Sequence, residues 1–142
     1  MLNAQGQCLC GKVKMRAQIA EKHAEVCHCG MCRTWGGGPL FGVPVGAAEN
    51  VRIEGEQHVT VYSSSEWADR GFCKYCGTHL FYRLKDGSFY DIPAGLLDDM
   101  DGFKLQTQIF IDRKPDFYNF VEATENMTEA EVMAKFAPPD QK

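Results

Sequence analysis

Short apolar and β-branched runs alternate with turn-forming residues along most of the chain. Between residues 12 and 16, Val13 and Met15 alternate with charged residues, which is the period-two pattern of a half-buried strand. Gly, Pro, Asp and Asn separate further runs of this kind. These runs are FGVPV (41–45), VRIEG (51–55), HVTVYSS (58–64), HLFYR (79–83), SFYDIPAGLL (88–97) and LQTQIFID (105–112). No strand–helix–strand alternation appears, so the pattern predicts a mainly β fold with an antiparallel arrangement.

One segment near the end of the chain has the helical period instead. TEAEVMAKF (128–136) begins with Thr128 and carries Glu131 three residues later, which is a capping box. Val132, Met133 and Phe136 then form one apolar face. The pattern predicts a short C-terminal helix.

Composition and charge limit the class of protein. The chain has 142 residues, of which 44% are hydrophobic and 24% charged, as in an ordinary soluble domain. No repeat or linker divides it, so we expect a single domain over residues 1–142. The net charge of −4 argues against nucleic acid or an anionic membrane as the main partner. The N-terminus has no basic segment followed by an apolar run, so we expect a cytoplasmic protein.

The seven cysteines indicate metal binding, because an odd number cannot all pair as disulfides and the cytosol is reducing. Two pairs stand far apart in the sequence, in CLC and CKYC, and a glycine at 77 permits a tight turn after the second pair. CLC is expected at the start of the strand that contains Val13 and Met15. Together the pairs give the four thiolates of a closed, structural zinc site. This four-cysteine cluster consists of Cys8, Cys10, Cys73 and Cys76. The alternative is buried thiols or two unrelated pairs.

CHCGMC supplies the remaining thiols, Cys27, Cys29 and Cys32, which we call the three-cysteine cluster. Cys27 and Cys29 can point one way from an extended segment, and a turn at Gly-Met returns the chain so that Cys32 joins them. Three ligands leave the fourth position of a tetrahedral metal open, as in a catalytic zinc site. The alternative is a second structural site that a histidine completes. The candidate histidines are His23, His28, His58 and His79.

These motifs carry a resemblance to a known family. CLCGKV, CHCGMCR followed by a Gly-rich stretch, and FCKYCGTHLFYR are similar to the glutathione-dependent formaldehyde-activating enzymes, a family that also includes the centromere protein V-like proteins. The resemblance covers nearly the whole chain. It implies a mainly β, Mss4-like tent fold and two zinc ions per chain. The four-cysteine cluster would then hold the structural zinc and the three-cysteine cluster the catalytic zinc, in agreement with the spacing.

The expected function follows from an open zinc site. A thiol such as glutathione can bind there as a thiolate and meet an aldehyde, so we expect a carbon–sulfur lyase or synthase resembling S-(hydroxymethyl)glutathione synthase. The catalytic residues would be the three cysteines of the open site. The alternative is a non-catalytic zinc-binding scaffold or interaction module of the same fold. Candidate contacts for the substrate's carboxylates are Arg33, Arg70, Lys74, Gly36 and Gly37.

Overall fold

The computed structural model describes residues 1–136, which fold mainly into β-strands with two short α-helices. The helices are α1 (Gly30–Gly36) and α2 (Glu129–Phe136). The predicted fold class, mainly β with a short C-terminal helix, is confirmed. In chain order the strands are β1 (Leu2–Gln7), β2 (Lys14–Ile19), β3 (His23–Cys27), β4 (Leu40–Gly46), β5 (Val51–Glu54), β6 (Val59–Ser63), β7 (Ala68–Cys73), β8 (His79–Leu84), β9 (Tyr90–Pro93), β10 (Lys104–Ile109) and β11 (Glu125–Met127).

The chain forms two compact units. Unit 1 combines Met1–Lys22 with Val43–Phe103. Unit 2 combines His23–Gly42 with the described residues from 104 to 136. Each unit is therefore assembled from two stretches that are separated in the sequence. That residues 1–142 behave as a single domain stays a prediction.

Unit 1 has a hydrophobic core to which two cysteines belong. It contains an antiparallel sheet in the order β1–β2–β5 and four antiparallel strands in the order β9–β8–β7–β6. In β2 the buried residues are Met15, Ala17 and Ile19, which alternate with exposed polar residues as the period-two pattern predicts. Cys8 and Cys73 are part of the same core and are 1% and 0% exposed.

In unit 2 the strand order is β11–β10–β3–β4. β3 pairs antiparallel with β4, whereas β10 pairs parallel with both β3 and β11. The register places Gln108 opposite Val26 and Ile109 opposite Cys27. The antiparallel arrangement predicted from the sequence is therefore wrong for β10. Its parallel pairing is possible because long stretches of chain separate β10 from β3 and from β11.

Each of the six strand-like runs in the sequence overlaps an observed strand. The structure adds β1, β3, β7 and β11, which have the sequences LNAQGQ, HAEVC, ADRGFC and ENM. These segments contain Gly, Ala, Asn and charged residues in place of an alternating β-branched pattern. All four pair with neighbouring strands, and β3 and β7 also contain buried residues, so local β-propensity contributes little.

The C-terminal helix begins as the capping box predicts. The Glu131 N–H donates to the Thr128 hydroxyl at 3.2 Å, and the Thr128 N–H donates to the Glu131 carboxylate at 3.1 Å. Val132 is the buried residue of α2. None of the helices within residues 1–136 is long and apolar enough to cross a membrane.

Candidate metal centres

Four cysteine sulfurs converge in unit 1 from the turns that follow β1 and β7. The Sγ atoms of Cys8, Cys10, Cys73 and Cys76 all lie within 4.8 Å of one another. The Cys10 Sγ is 3.6 Å from the Cys8 Sγ and 3.7 Å from the Cys73 Sγ. Four sulfurs bound to zinc at about 2.3 Å lie about 3.8 Å apart at the corners of a tetrahedron. The four-cysteine cluster therefore fits a tetrahedral zinc ion.

Both cysteine pairs lie in tight turns. The Gly11 N–H donates to the Cys8 carbonyl at 2.9 Å, and the Gly77 N–H donates to the Cys73 carbonyl at 2.8 Å. Gly77 has a positive φ of 77°, and the tight turn predicted at this glycine is confirmed. The placement of CLC at the start of a strand is wrong. The Cys8 N–H donates to the Val13 carbonyl at 3.0 Å and closes a loop ahead of β2.

Thr78 connects the two turns. Its hydroxyl oxygen accepts a hydrogen bond from the Leu9 N–H at 3.0 Å and lies 3.2 Å from the Cys76 Sγ. The hydrogen bond from this hydroxyl is the main reason that the pKa of Cys76 is lowered to about 5. A low thiol pKa favours the thiolate that binds a metal. The sequence analysis did not identify Thr78, although it directly follows Gly77.

The three-cysteine cluster lies in unit 2, where β3 ends and α1 begins. The Sγ atoms of Cys27, Cys29 and Cys32 lie within 4.8 Å of one another. Among the His, Cys, Asp and Glu side chains of residues 1–136, no fourth joins them. No disulfide links any of the seven cysteines, all of which lie in the described part of the chain. The cluster has the donor set of a zinc site with three protein ligands and one open position.

Helix α1 brings Cys32 back toward the other two cysteines. Cys29 is the N-cap, and its sulfur accepts a hydrogen bond from the Cys32 N–H at 3.3 Å. The helix ends where Gly37, with a φ of 82°, donates its N–H to the Arg33 carbonyl at 2.8 Å. The sequence analysis expected only a turn here, because cysteine is not among the residues preferred as N-caps. Gly37 was the available signal, since glycine commonly follows the end of a helix.

Without a metal, the close approach of the three sulfurs opposes the ionisation of all three. Hydrogen bonds from the Cys27 sulfur to the sulfurs of Cys29 and Cys32, together with burial, raise the pKa of Cys27 far above its usual range. Adjacent negative charges in a partly buried site repel one another strongly. A divalent cation between the sulfurs removes this repulsion, so the cluster fits a metal better than three separate thiols.

His28 lies between two cysteines of the cluster but is not one of its ligands. Its ring is fully buried, with Nδ1 2.8 Å from the Tyr118 hydroxyl and Nε2 2.8 Å from the Gln108 Oε1. Burial is the main reason that the pKa of His28 is lowered. Neither cysteine cluster includes a histidine among the described residues. The geometry thus favours an open site over one that a histidine completes.

Cationic and aromatic side chains accompany the cluster. Arg33 donates from Nε to the His28 carbonyl at 3.0 Å. Burial raises the pKa of Tyr118, and the positive charge of Arg33 opposes this rise in part. The Lys114 ammonium donates to the Tyr118 carbonyl at 2.6 Å and lies 5.1 Å from the centre of the Tyr118 ring. The sequence analysis missed Gln108, Lys114 and Tyr118. They are distant from the cysteines in the sequence and belong to no recognisable motif.

The predicted substrate contacts fall in both units. Arg33, Gly36 and Gly37 are part of unit 2, where both glycines are exposed. Arg70 and Lys74 are part of unit 1; Arg70 is 4% exposed with its guanidinium 5.2 Å from the centre of the Tyr82 ring, whereas Lys74 is exposed. The role of these five residues in binding a substrate stays a prediction.

The structure thus defines a mainly β protein with two cysteine clusters that fit zinc, one with four thiols and one with three. The family model of the glutathione-dependent formaldehyde-activating enzymes matches residues 3–113, and the chain belongs to this family. It is 35% identical over 130 residues to an uncharacterised lyase of Schizosaccharomyces pombe. This alignment covers 91% of the present chain and 93% of the yeast protein.

A solved structure supports the same fold. The crystal structure of a Rhodobacter sphaeroides protein superimposes with a TM-score of 0.59 and 21% sequence identity. The similarity covers 69% of this chain and 91% of that protein.

Proposed function

We propose that the protein is a zinc-dependent carbon–sulfur lyase or synthase that acts on the adduct of a thiol with an aldehyde, in the manner of an S-(hydroxymethyl)glutathione synthase. Family membership and a relative that is named a lyase support an enzyme of this type. The thiol would be glutathione or a similar molecule, and the electrophile formaldehyde or another small aldehyde.

The observation that carries the proposal is the incomplete ligand set of the three-cysteine cluster. Its three sulfurs converge, and no fourth His, Cys, Asp or Glu ligand joins them within residues 1–136. His28, the nearest histidine in the sequence, uses both ring nitrogens in hydrogen bonds elsewhere. A site that served only to stabilise the fold would normally be closed by a fourth protein ligand.

Cys27, Cys29 and Cys32 would hold the catalytic zinc. When bound, zinc lowers the pKa of a coordinated thiol, so a substrate thiol can be a thiolate near neutral pH. The four-cysteine cluster would hold a second, structural zinc, which gives two ions per chain.

Side chains beside the cluster would orient an anionic thiol such as glutathione. Arg33 is half-buried, and its Nε donates a hydrogen bond to the His28 carbonyl. This bond holds the guanidinium in place beside the segment that carries the three cysteines. A Cβ added at Gly30 would lie 3.7 Å from the Arg33 Nη2, so this guanidinium lies at the start of α1. A fixed positive charge at this place would bind a carboxylate of the substrate and limit the approach of its sulfur to few directions.

The proposed reaction needs no oxidant or reductant. The substrate sulfur forms a bond to the carbonyl carbon, the carbon–oxygen double bond becomes single, and the oxygen takes up one proton as the thiol gives up one. The product is a hemithioacetal, and the reverse reaction breaks the same carbon–sulfur bond. The gain for the enzyme is proximity, because two small reactants meet in a fixed geometry.

A screen of thiols against aldehydes on protein of known zinc content tests the proposal. The rate of exchange between each thiol and its hemithioacetal is measured by NMR with and without the protein. We expect faster exchange for at least one pair, loss of this effect in Cys29→Ser, and retention in Thr34→Ala, an exposed position of the same helix. If protein with two zinc ions accelerates no pair, the proposal is wrong and the non-catalytic zinc module takes its place.

A further inference from the structure

All four polar groups of His28 are engaged in hydrogen bonds within unit 2. Its backbone N–H donates to the Ile109 carbonyl at 3.1 Å, and its carbonyl accepts from the Arg33 Nε at 3.0 Å. Its two ring nitrogens contact Tyr118 and Gln108 at 2.8 Å each. Three separate stretches of chain therefore fix the one residue that separates Cys27 from Cys29.

The hydrogen bonds on one side of His28 run in a single direction. The Gln108 amide nitrogen donates to the Thr124 hydroxyl at 2.9 Å, and the Thr124 hydroxyl donates to the Asn126 Oδ1 at 2.6 Å. This places the amide oxygen of Gln108 toward His28, so the imidazole Nε2 carries the proton and Nδ1 accepts from the Tyr118 hydroxyl. The network therefore selects one tautomer and one ring orientation.

Burying this network has a cost that an apolar side chain would avoid. His28 is 0% exposed and Gln108 is 6% exposed, and buried polar groups are tolerated only when their partners are in place. Within residues 1–136 the buried polar or charged side chains are His28, Gln108 and Arg70. What distinguishes the position of His28 is its place between two cysteines of the three-cysteine cluster.

We propose that His28 and Gln108 are positioning residues that set the directions of Cys27 and Cys29 before a metal binds. The inference rests on the proposed zinc site. Holding the backbone of residue 28 fixes the Cα atoms on both sides of it, so the two sulfurs lose little conformational freedom when the metal arrives. Gln108 acts through His28 and needs no contact with the metal or the substrate.

Substitution of Gln108 by leucine tests this role in the full-length protein. Gln108→Leu keeps most of the side-chain volume but removes the acceptor for the His28 Nε2–H. Gln106→Leu, at an exposed position of the same strand, is the matched control. Zinc release is followed by titration with a chromophoric chelator. Because Cys29→Ser should keep only the zinc of the four-cysteine cluster, its titration curve identifies the zinc that this cluster releases.

We expect Gln108→Leu to weaken zinc binding at the three-cysteine cluster by about 10- to 100-fold, while the four-cysteine cluster and the Gln106→Leu protein are unchanged. Gln108→Glu should restore most of the affinity, because its carboxylate again accepts from His28. Cobalt substituted for zinc gives a second readout. The sulfur-to-cobalt absorption bands of the three-cysteine cluster should shift in Gln108→Leu and not in the control.

The outcomes separate this inference from the proposed function. Unchanged zinc affinity and cobalt spectrum in Gln108→Leu overturn the positioning role and leave the proposed enzyme intact. A wild-type protein that binds one zinc ion overturns both. If Gln108→Leu does not fold, Tyr118→Phe decides, since it removes only the hydroxyl that donates to Nδ1. We expect Tyr118→Phe to lose about five-fold in zinc affinity. An unchanged zinc affinity in this variant would overturn the positioning role.

Discussion

The two cysteine clusters are built by different means. The four-cysteine cluster joins two turns that are far apart in the sequence, and two of its thiols are part of the hydrophobic core of unit 1. The three-cysteine cluster comes from one short segment between a strand and a helix, and a buried histidine held by polar partners accompanies it. A metal in the first would stabilise the fold, whereas a metal in the second would have three protein ligands among the described residues.

This comparison predicts that a cysteine-to-serine substitution destabilises the fold in the four-cysteine cluster but only abolishes activity in the three-cysteine cluster. Cys73→Ser should cause the largest effect, because removal of a ligand from a closed site in the core loses binding energy that is also folding energy. We expect aggregation or a fall in melting temperature of at least about 10 °C, measured by circular dichroism. A soluble Cys73→Ser protein with the wild-type melting temperature would contradict the structural role of the four-cysteine cluster.

Cys29→Ser should leave the fold nearly intact and abolish activity. Serine is a good N-cap, so it can replace the Cys29 sulfur as the acceptor for the Cys32 N–H at the start of α1. We expect one zinc ion in place of two by elemental analysis, a melting temperature within about 3 °C of wild type, and a loss of turnover beyond about 100-fold. Full turnover in this variant would mean that the chemistry occurs elsewhere.

A matched pair of glycine substitutions sharpens the comparison. Gly77 follows the second turn of the four-cysteine cluster and Gly37 ends α1, and both have a positive φ with no atom within 4 Å of an added Cβ. Alanine should therefore cost each site about 1 kcal/mol of backbone strain without a steric clash. Gly77→Ala is expected to weaken zinc binding only at the four-cysteine cluster, and Gly37→Ala only at the three-cysteine cluster. Equal effects of both variants on one site would contradict the separation of the two clusters.

The smallest predicted effect is on the pH dependence of stability. Burial lowers the pKa of His28 in unit 2, and burial followed by the charge of Arg70 lowers that of His79 in unit 1, each from 6.5. Such groups bind fewer protons in the folded than in the unfolded state, so their contribution to stability is complete above about pH 6.5. It falls as the pH drops below that value and is fully lost once the pH has passed the lowered folded-state pKa.

We therefore expect a lower free energy of unfolding at pH 5.5 than at pH 7.5, measured by urea denaturation with the zinc content checked at both values. His79→Gln should reduce this difference. Equal stability of the wild-type protein at the two pH values would contradict the prediction.

Local patterns were enough to predict much of the fold and the division of the cysteines. The period-two run around Met15 predicted β2, and the capping box of Thr128 and Glu131 predicted α2. Both features depend on neighbours within a few residues. The parallel pairing of β10 with β3 was not predictable in this way, because it depends on residues about 80 positions apart.

The atoms that are available for chemistry follow from the sequence alone. The spacing of the seven cysteines placed them in groups of two, three and two, since thiols two or three residues apart stay close in space, and tertiary packing brought the two pairs together as the cluster of four. The residues that surround the cysteines depend on tertiary packing. Gln108 and Tyr118 reach His28 because β10 lies beside β3 and the chain beyond β10 returns to the ring, and no short-range pattern records such contacts. Ligand identity is a local property of the chain, whereas the direction of each ligand depends on packing and hydrogen bonds between distant segments.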